Sequence, residues 1–254
     1  PVAAAEVRGI MRVNRLYTSV KLRPETVVRL DPAAGHYLSR VLKLRPGDPL
    51  VLFNGDGSDY AAELANARRD AMEVRVTARL PAVPVPDLRI TLAQAVGKGD
   101  RMDQCLQKAT ELGVAALQPL FTERTAVRLD GERLARRVEH WRRVTISACE
   151  QCGRADLPDL VPPLTLDEWL AGLQPGETAF ALTPGAGDSL AQVSVANSTV
   201  NLVVGPEGGF SDNELLQLQR AGLIPVALGP RVLRTETAGP AAIAVLQARF
   251  GDFV

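Results

Sequence analysis

The chain has 254 residues, 29 basic and 29 acidic side chains for a formal net charge of zero, and 46% hydrophobic residues. This length bounds it to one large or two modest domains, each able to bury a core. No long uncharged apolar run reads as a membrane span or a secretory signal, so a cytoplasmic protein without a membrane partner is expected. Three cysteines are too few for a disulfide framework.

A zero balance counts against a nucleic-acid binder, for which a basic one is expected. The charges are unevenly spread, however. From Arg8 to Arg45 nine Lys/Arg face only Glu25 and Asp31, and from Arg124 to Arg143 seven Arg face Asp130, Glu132 and Glu139. An ordinary solvated face explains either cluster; the first favours RNA contact over that reading.

In chain order, residues 1–10 read as a disordered extension, with Met11 as the natural start. Short strands with turn chemistry fill 11–80. Asn54-Gly-Asp-Gly57 predicts a hairpin between strands at 49–53 and 60–64, and 73–77 alternates as a half-buried strand should. Residues 35–44 have helical spacing, with Leu38, Val41 and Leu42 predicted inward and Arg40 and Lys43 outward. Three prolines between Pro81 and Pro86 mark 81–87 as a linker.

Over 88–254 strands and helices alternate at the spacing of a parallel sheet. Strands are predicted at 88–96, 117–121, 178–182, 199–204 and 224–228. Helices are predicted at 100–112 and 131–151, after a Thr165 cap, after Ser211 with Glu214 completing a capping box, and at 241–250. Periodicity alone therefore gives a doubly wound α/β domain. Cys149 and Cys152 are formally CxxC, but there is no second pair, and His36 and His140 stand at no ligand spacing from it. They read as incidental cysteines on a helix end, and no metal is expected.

The stretch 201–238 organises the domain. Gly205, Gly208 and Gly209 leave a loop backbone bare to close approach, and two loops at strand carboxyl ends are where open α/β sheets hold ligands. Neither loop is GxGxxG or a P-loop. A plain tight turn would explain GPEGG alone, but it loses ground beside LGPRVLRTETA after the right strands.

Four segments, GPEGGFSDNE (205–214), LGPRVLRTETA (228–238), KGDRMDQCLQKATELGV (98–114) and EQCGR (150–154), carry a resemblance. By them the chain resembles the ribosomal RNA uridine-N3 methyltransferases of the SPOUT class, from Met11 to nearly the C-terminus. The resemblance implies a SPOUT-type α/β domain with a C-terminal trefoil knot, preceded by a small β-rich PUA-like barrel that binds RNA. It implies a homodimer, S-adenosylmethionine as methyl donor, and 16S rRNA or the small ribosomal subunit as partner. The cofactor would be held by Leu182, Thr183 and Pro184, by Gly205, Pro206, Glu207, Gly208 and Gly209, and by Leu228, Gly229, Leu233, Arg234, Thr235, Thr237 and Ala238. For Leu228 and Leu233 plain core packing is the competing reading. Arg12, Arg15, Arg40, Lys43 and Arg45 are the candidate RNA contacts.

Methylation at uracil N3 needs loss of an imide proton and in-line presentation of the nitrogen. N3 lies on the Watson–Crick edge, so the target must be unpaired. A cation would stabilise the developing anion, with Arg154 and Arg234 as candidates. Glu236 or Glu207 would take the proton, although Glu207 equally reads as a brace for the glycine loop, and the base stays open. A related methyltransferase acting on another RNA, and a non-catalytic ribosome assembly factor, are the alternatives.

Overall fold

The computed structural model describes residues 14–68, 71–81, 84–127 and 129–253. Arg12 and the extension at 1–10 lie outside the described residues. The chain forms two compact units: one gathers the chain before Pro86 with Cys149–Leu157, the other holds Pro86–Ala148 and Pro158–Val254.

The first unit is a five-stranded sheet of β1 (Asn14–Tyr17), β2 (Thr26–Arg29), β3 (Pro49–Phe53), β4 (Asp59–Arg68) and β5 (Ala71–Arg79), in the order β1-β3-β4-β5-β2. Only the β1–β3 pair is parallel. The predicted hairpin joins β3 to β4, with Gly55 and Gly57 at φ 88° and 82°, a conformation costly for other residues. Leu38, Leu50, Leu52, Leu64 and Val74 fill its core.

The helix predicted at 35–44 differs in winding. A short α1 (Pro32–His36) runs into a π-helical turn, Tyr37–Val41. Leu42 N–H closes on the Tyr37 carbonyl at 3.1 Å, and Lys43, at φ 55°, ends the turn. The wider i→i+5 winding swings Val41 away from the face of Leu38, so Val41, predicted inward, is 60% exposed.

The second unit is a parallel sheet of β6 (Arg89–Ala95), β7 (Ala116–Phe121), β8 (Asp159–Leu160), β9 (Leu164–Thr165), β10 (Thr178–Leu182), β11 (Thr199–Val204) and β12 (Ile224–Val226). The order is β12-β10-β11-β6-β7-β8, with β9 also on β7. Alternate strand residues serve two cores. Leu92 and Leu202 pack under α2 (Arg101–Glu111) and α6 (Thr235–Phe250) with Leu106, Ile243 and Leu246. Ala93 and Val203 face the other way, with Trp169 of α4 (Leu166–Gly172) and Leu218 of α5 (Asp212–Arg220). Helix α3 (Gly131–Cys152) completes the set. Both capping boxes form, at Thr165/Glu168 and Ser211/Glu214.

The last helix begins at Thr235 rather than at 241. Its first turn is Thr-Glu-Thr, polar and without periodicity, and Pro240 reads as a break. Arg234 is the extended N-cap residue, so the polar end of LRTETA is helix rather than loop.

Candidate active site

Strands β12, β10 and β11 are neighbours, so the loops leaving their carboxyl ends converge. They enclose a cavity of about 560 Å³, within the range of small-molecule sites. Leu182 ends β10 and Thr183 and Pro184 follow it, Gly205 to Phe210 follow β11, and Val226 ends β12, with Ala227 to Gly229, Arg231 to Glu236 and Ala238 after it. Every predicted cofactor residue lines this cleft except Thr237, which is exposed on the first turn of α6. Leu228 and Leu233 are half-buried, as walls of a cleft are.

The glycine loop is rigidly held. A Cβ on Gly205 would sit 3.2 Å from the Phe210 ring, and Gly209, at φ 67°, donates its N–H to the Pro206 carbonyl at 2.9 Å. Arg124 Nη1 donates to the carbonyls of Gly208 at 2.9 Å and Phe210 at 3.1 Å. Glu214, buried, accepts from the N–H groups of Ser211 and Glu123, both at 2.8 Å. A buried chain ties the loop to α6: Gln94 Nε2 donates to Thr235 Oγ1, and that hydroxyl donates to the Gly205 carbonyl, both at 2.8 Å.

Two carboxylates in the cleft differ. Glu207 Oε1 accepts from Lys98 N–H at 3.0 Å and Arg101 Nη1 at 2.5 Å. Burial pushes its carboxyl up, but the hydrogen bonds from Lys98, its own N–H and Arg101 outweigh this and leave it below its ordinary range. An acceptor so occupied braces the loop. Glu236 stands in the first turn of α6 with its side chain 12% exposed. Its Oε1 is 3.9 Å from Arg101 Nε, and its Oε2 is buried with no hydrogen-bond partner among the described residues. A buried, unpaired carboxylate oxygen is costly unless a ligand supplies the donor.

Arg234 lines the cleft. Arg154 belongs to the first unit, where its Nη2 and Nε reach Asp156 at 2.5 and 3.3 Å. Arg15 of the same unit is turned inward: it pairs with Asp59 at 2.6 Å, donates to the Arg154 carbonyl at 2.9 Å and lies over the Phe53 ring. Arg40, Lys43 and Arg45 are exposed. Among the described residues no three His, Cys, Asp or Glu gather to hold a metal ion, and no helix is long and apolar enough to cross a membrane. Burial pushes the thiols of Cys105 and Cys149 up to about 12, so both stay protonated.

Sequence reasoning missed Arg101, Arg124 and Gln94. Arg101 lay in KGDRMDQ, a segment that carried the resemblance, but nothing in the linear sequence shows that it reaches Glu207.

An open parallel α/β sheet with its cleft at the strand ends is the class that fold and site define. The family described as RNA methyltransferase domain matches residues 84–247, and that described as RNA methyltransferase PUA domain matches residues 30–77. The chain is 32% identical to ribosomal RNA small subunit methyltransferase E of Buchnera aphidicola subsp. Schizaphis graminum, over 95% of this chain and 98% of the relative. To the protein of that name from Synechocystis sp. it is 34% identical, over 98% of this chain and 82% of the relative. A solved structure of the Neisseria gonorrhoeae ribosomal RNA small subunit methyltransferase E, bound to S-adenosyl methionine, aligns with TM-score 0.91 at 38% identity, covering 96% of this chain and 100% of that one. The chain belongs to this family of RNA methyltransferases, the ribosomal RNA small subunit methyltransferases E.

Proposed function

We propose that the protein transfers a methyl group from S-adenosylmethionine to N3 of an unpaired uridine in the decoding region of 16S rRNA, in the cytoplasm. The observation that carries this reading is Glu236 Oε2, a buried proton acceptor without a hydrogen-bond partner among the described residues, at the edge of a cleft in a chain of this family. The relatives' names and the cofactor bound to the Neisseria gonorrhoeae protein support it.

The cleft fits the cofactor. Its walls are apolar at Leu182, Leu228 and Leu233 for an adenine, and its edges are bare main chain at Gly205 to Gly209. When bound, the cofactor would supply a methyl group on a sulfonium for transfer to N3. Glu236 Oε2 accepts the N3 proton. Arg234, on the cleft wall, faces the charge that develops on the uracil oxygens. Glu207 keeps the glycine loop in place.

The reading extends to the whole chain. Residues 11–80 are an RNA-binding domain whose sheet closes as a barrel, 81–87 are a linker, and 88–254 are a catalytic domain threaded as a trefoil knot. In a homodimer Arg154 of one protomer, released from Asp156, stands over its partner's cleft as the second cation. Arg154→Ala then lowers the single-turnover rate by about 10²–10³, with cofactor affinity unchanged; a rate within a few-fold of wild type removes Arg154 from the chemistry.

The test of the function is mass mapping of 16S rRNA after incubating unmodified small subunits, or free rRNA, with protein and labelled cofactor. One added methyl on a single uridine base, blocking its Watson–Crick edge to reverse transcriptase, is expected. Label found only in tRNA, only on ribose, or nowhere despite cofactor binding overturns the reading.

A further inference from the structure

The cleft holds two carboxylates and places one guanidinium between them. Arg101, the first residue of α2, puts Nη1 at 2.5 Å from Glu207 Oε1 and Nε at 3.9 Å from Glu236 Oε1. These contacts differ in kind. The first is a hydrogen bond that Glu207 supplements with Lys98 N–H. The second is beyond hydrogen-bond reach and acts as charge on charge. Because the Glu236 side chain is only 12% exposed, solvent screens that attraction less than it screens a surface pair. Glu236 also stands at the amino end of a helix of 16 residues, where the backbone dipole favours a negative group.

Of the two carboxylates Glu236 is the less well partnered, since Glu207 also accepts from Lys98 N–H. Glu236 Oε1 faces Arg101, and its Oε2 faces no donor among the described residues. The other titratable neighbour from α2, Cys105, feels the charge of Glu236 but stays a neutral thiol, with its S–H turned to Gln94 Oε1 at 3.3 Å. Arg101 is thus the cation that compensates Glu236, and it does so from one side only.

We propose, on the reading of the cleft as a uridine-N3 methyltransferase site, that Arg101 is a positioning residue of the reaction: it anchors Glu236 by Oε1 and so leaves Oε2 as the acceptor of the imide proton. The N3–H bond breaks with its electron pair left on N3 for the incoming methyl, and the proton goes to Oε2. Arg101 touches neither uracil nor the methyl group. Its second contact, to Glu207, couples the acceptor to the glycine loop, so an ordered loop and a correctly turned Glu236 come together.

A double-mutant cycle of Arg101→Met and Glu236→Gln tests this with two readouts. In thermal unfolding of the ligand-free proteins, Arg101→Met lowers Tm, because Glu236 is left buried without its cation. Glu236→Gln then raises the Tm of the Met variant by more than it raises that of wild type. Strictly additive shifts overturn the proposal, since they place the effect of Arg101 on Glu207 alone. In single-turnover methyl transfer at saturating cofactor and RNA, Arg101→Met slows the reaction by about tenfold or more, as loss of the orientation of a reacting group does. Arg101→Lys recovers most of the rate, and Arg101→Met slows the Glu236→Gln protein by less than it slows wild type. A lysine variant no faster than the methionine variant, or additive losses, overturns it. If wild-type protein methylates no uridine, the proposed function falls by itself, and the unfolding cycle still decides whether Arg101 is coupled to Glu236.

Discussion

Adjacent glycines in the GPEGG loop ask different things of the backbone. Gly209 is at φ 67° with nothing within 4 Å of an added Cβ, so replacing it costs backbone strain alone. Gly208 has no such φ, and its added Cβ would meet the Arg124 stem at 3.5 Å, an ordinary contact. Gly209→Ala is therefore expected to lose about 1–2 kcal/mol of stability, and Gly208→Ala to remain near wild type. Thermal denaturation of the two variants side by side checks this; equal midpoints would mean that the loop relaxes to take either residue. The three glycines were legible as a bare backbone from the residues alone. What the linear sequence could not carry was the residues that hold the loop, because Arg124 and Gln94 come from distant strand ends, and a glutamine in an apolar strand looks like any polar residue.

At the scale of elements, strands and helices with full periodicity were read nearly to the residue, β10 and β11 among them, while short or polar ones were not. Strands β8 and β9 have two residues each, below any period. The first turn of α6 was read as loop because it is polar and precedes Pro240. That early start places Gly239 against the sheet, where a Cβ would lie 3.2 Å from both Leu92 methyls and from Gln94 Oε1. Gly239→Ala should wedge α6 from β6 and cost about 1–3 kcal/mol, read as a lowered midpoint in urea; an unchanged midpoint would show that the helix slides without loss. The carboxyl end of α3 offers a pH test. Burial pushes the Glu150 carboxyl up, against the Tyr17 N–H bond and the Arg15 charge that pull it down. A folded form that holds this proton more tightly than the unfolded chain loses stability as pH rises from the ordinary carboxylate range through the raised value. Glu150→Gln keeps an acceptor for Tyr17 N–H and removes that loss. Its Tm should exceed that of wild type at pH 7 and converge with it at pH 4, and a constant gap between the two curves would contradict the assignment.

For the molecule as a whole, zero net charge hides a division of labour that composition could not show. The basic residues near the amino end were read as one group, yet the fold separates them. Arg15 is drawn inside by Asp59 and the Phe53 ring, and its loss should unfold the first unit locally rather than weaken RNA binding directly. Arg40, Lys43 and Arg45 remain exposed, and the π-helical turn that carries Arg40 ends before Lys43, which is held at φ 55°. A residue held in that conformation fixes where the chain turns, so these three charges are presented in a set order. If they meet phosphates, their removal reduces the counterions released on binding. Each phosphate contact with single-stranded RNA contributes about 0.7 to the slope of log K against log salt. The triple alanine variant should therefore bind 16S rRNA with a slope smaller by about 2, while affinity for S-adenosylmethionine, whose proposed site is in the other unit, stays at the wild-type value. Filter binding over a range of salt and calorimetric titration of the cofactor make the two measurements. A slope equal to wild type would leave these side chains as solvated surface and move the RNA contact to another face.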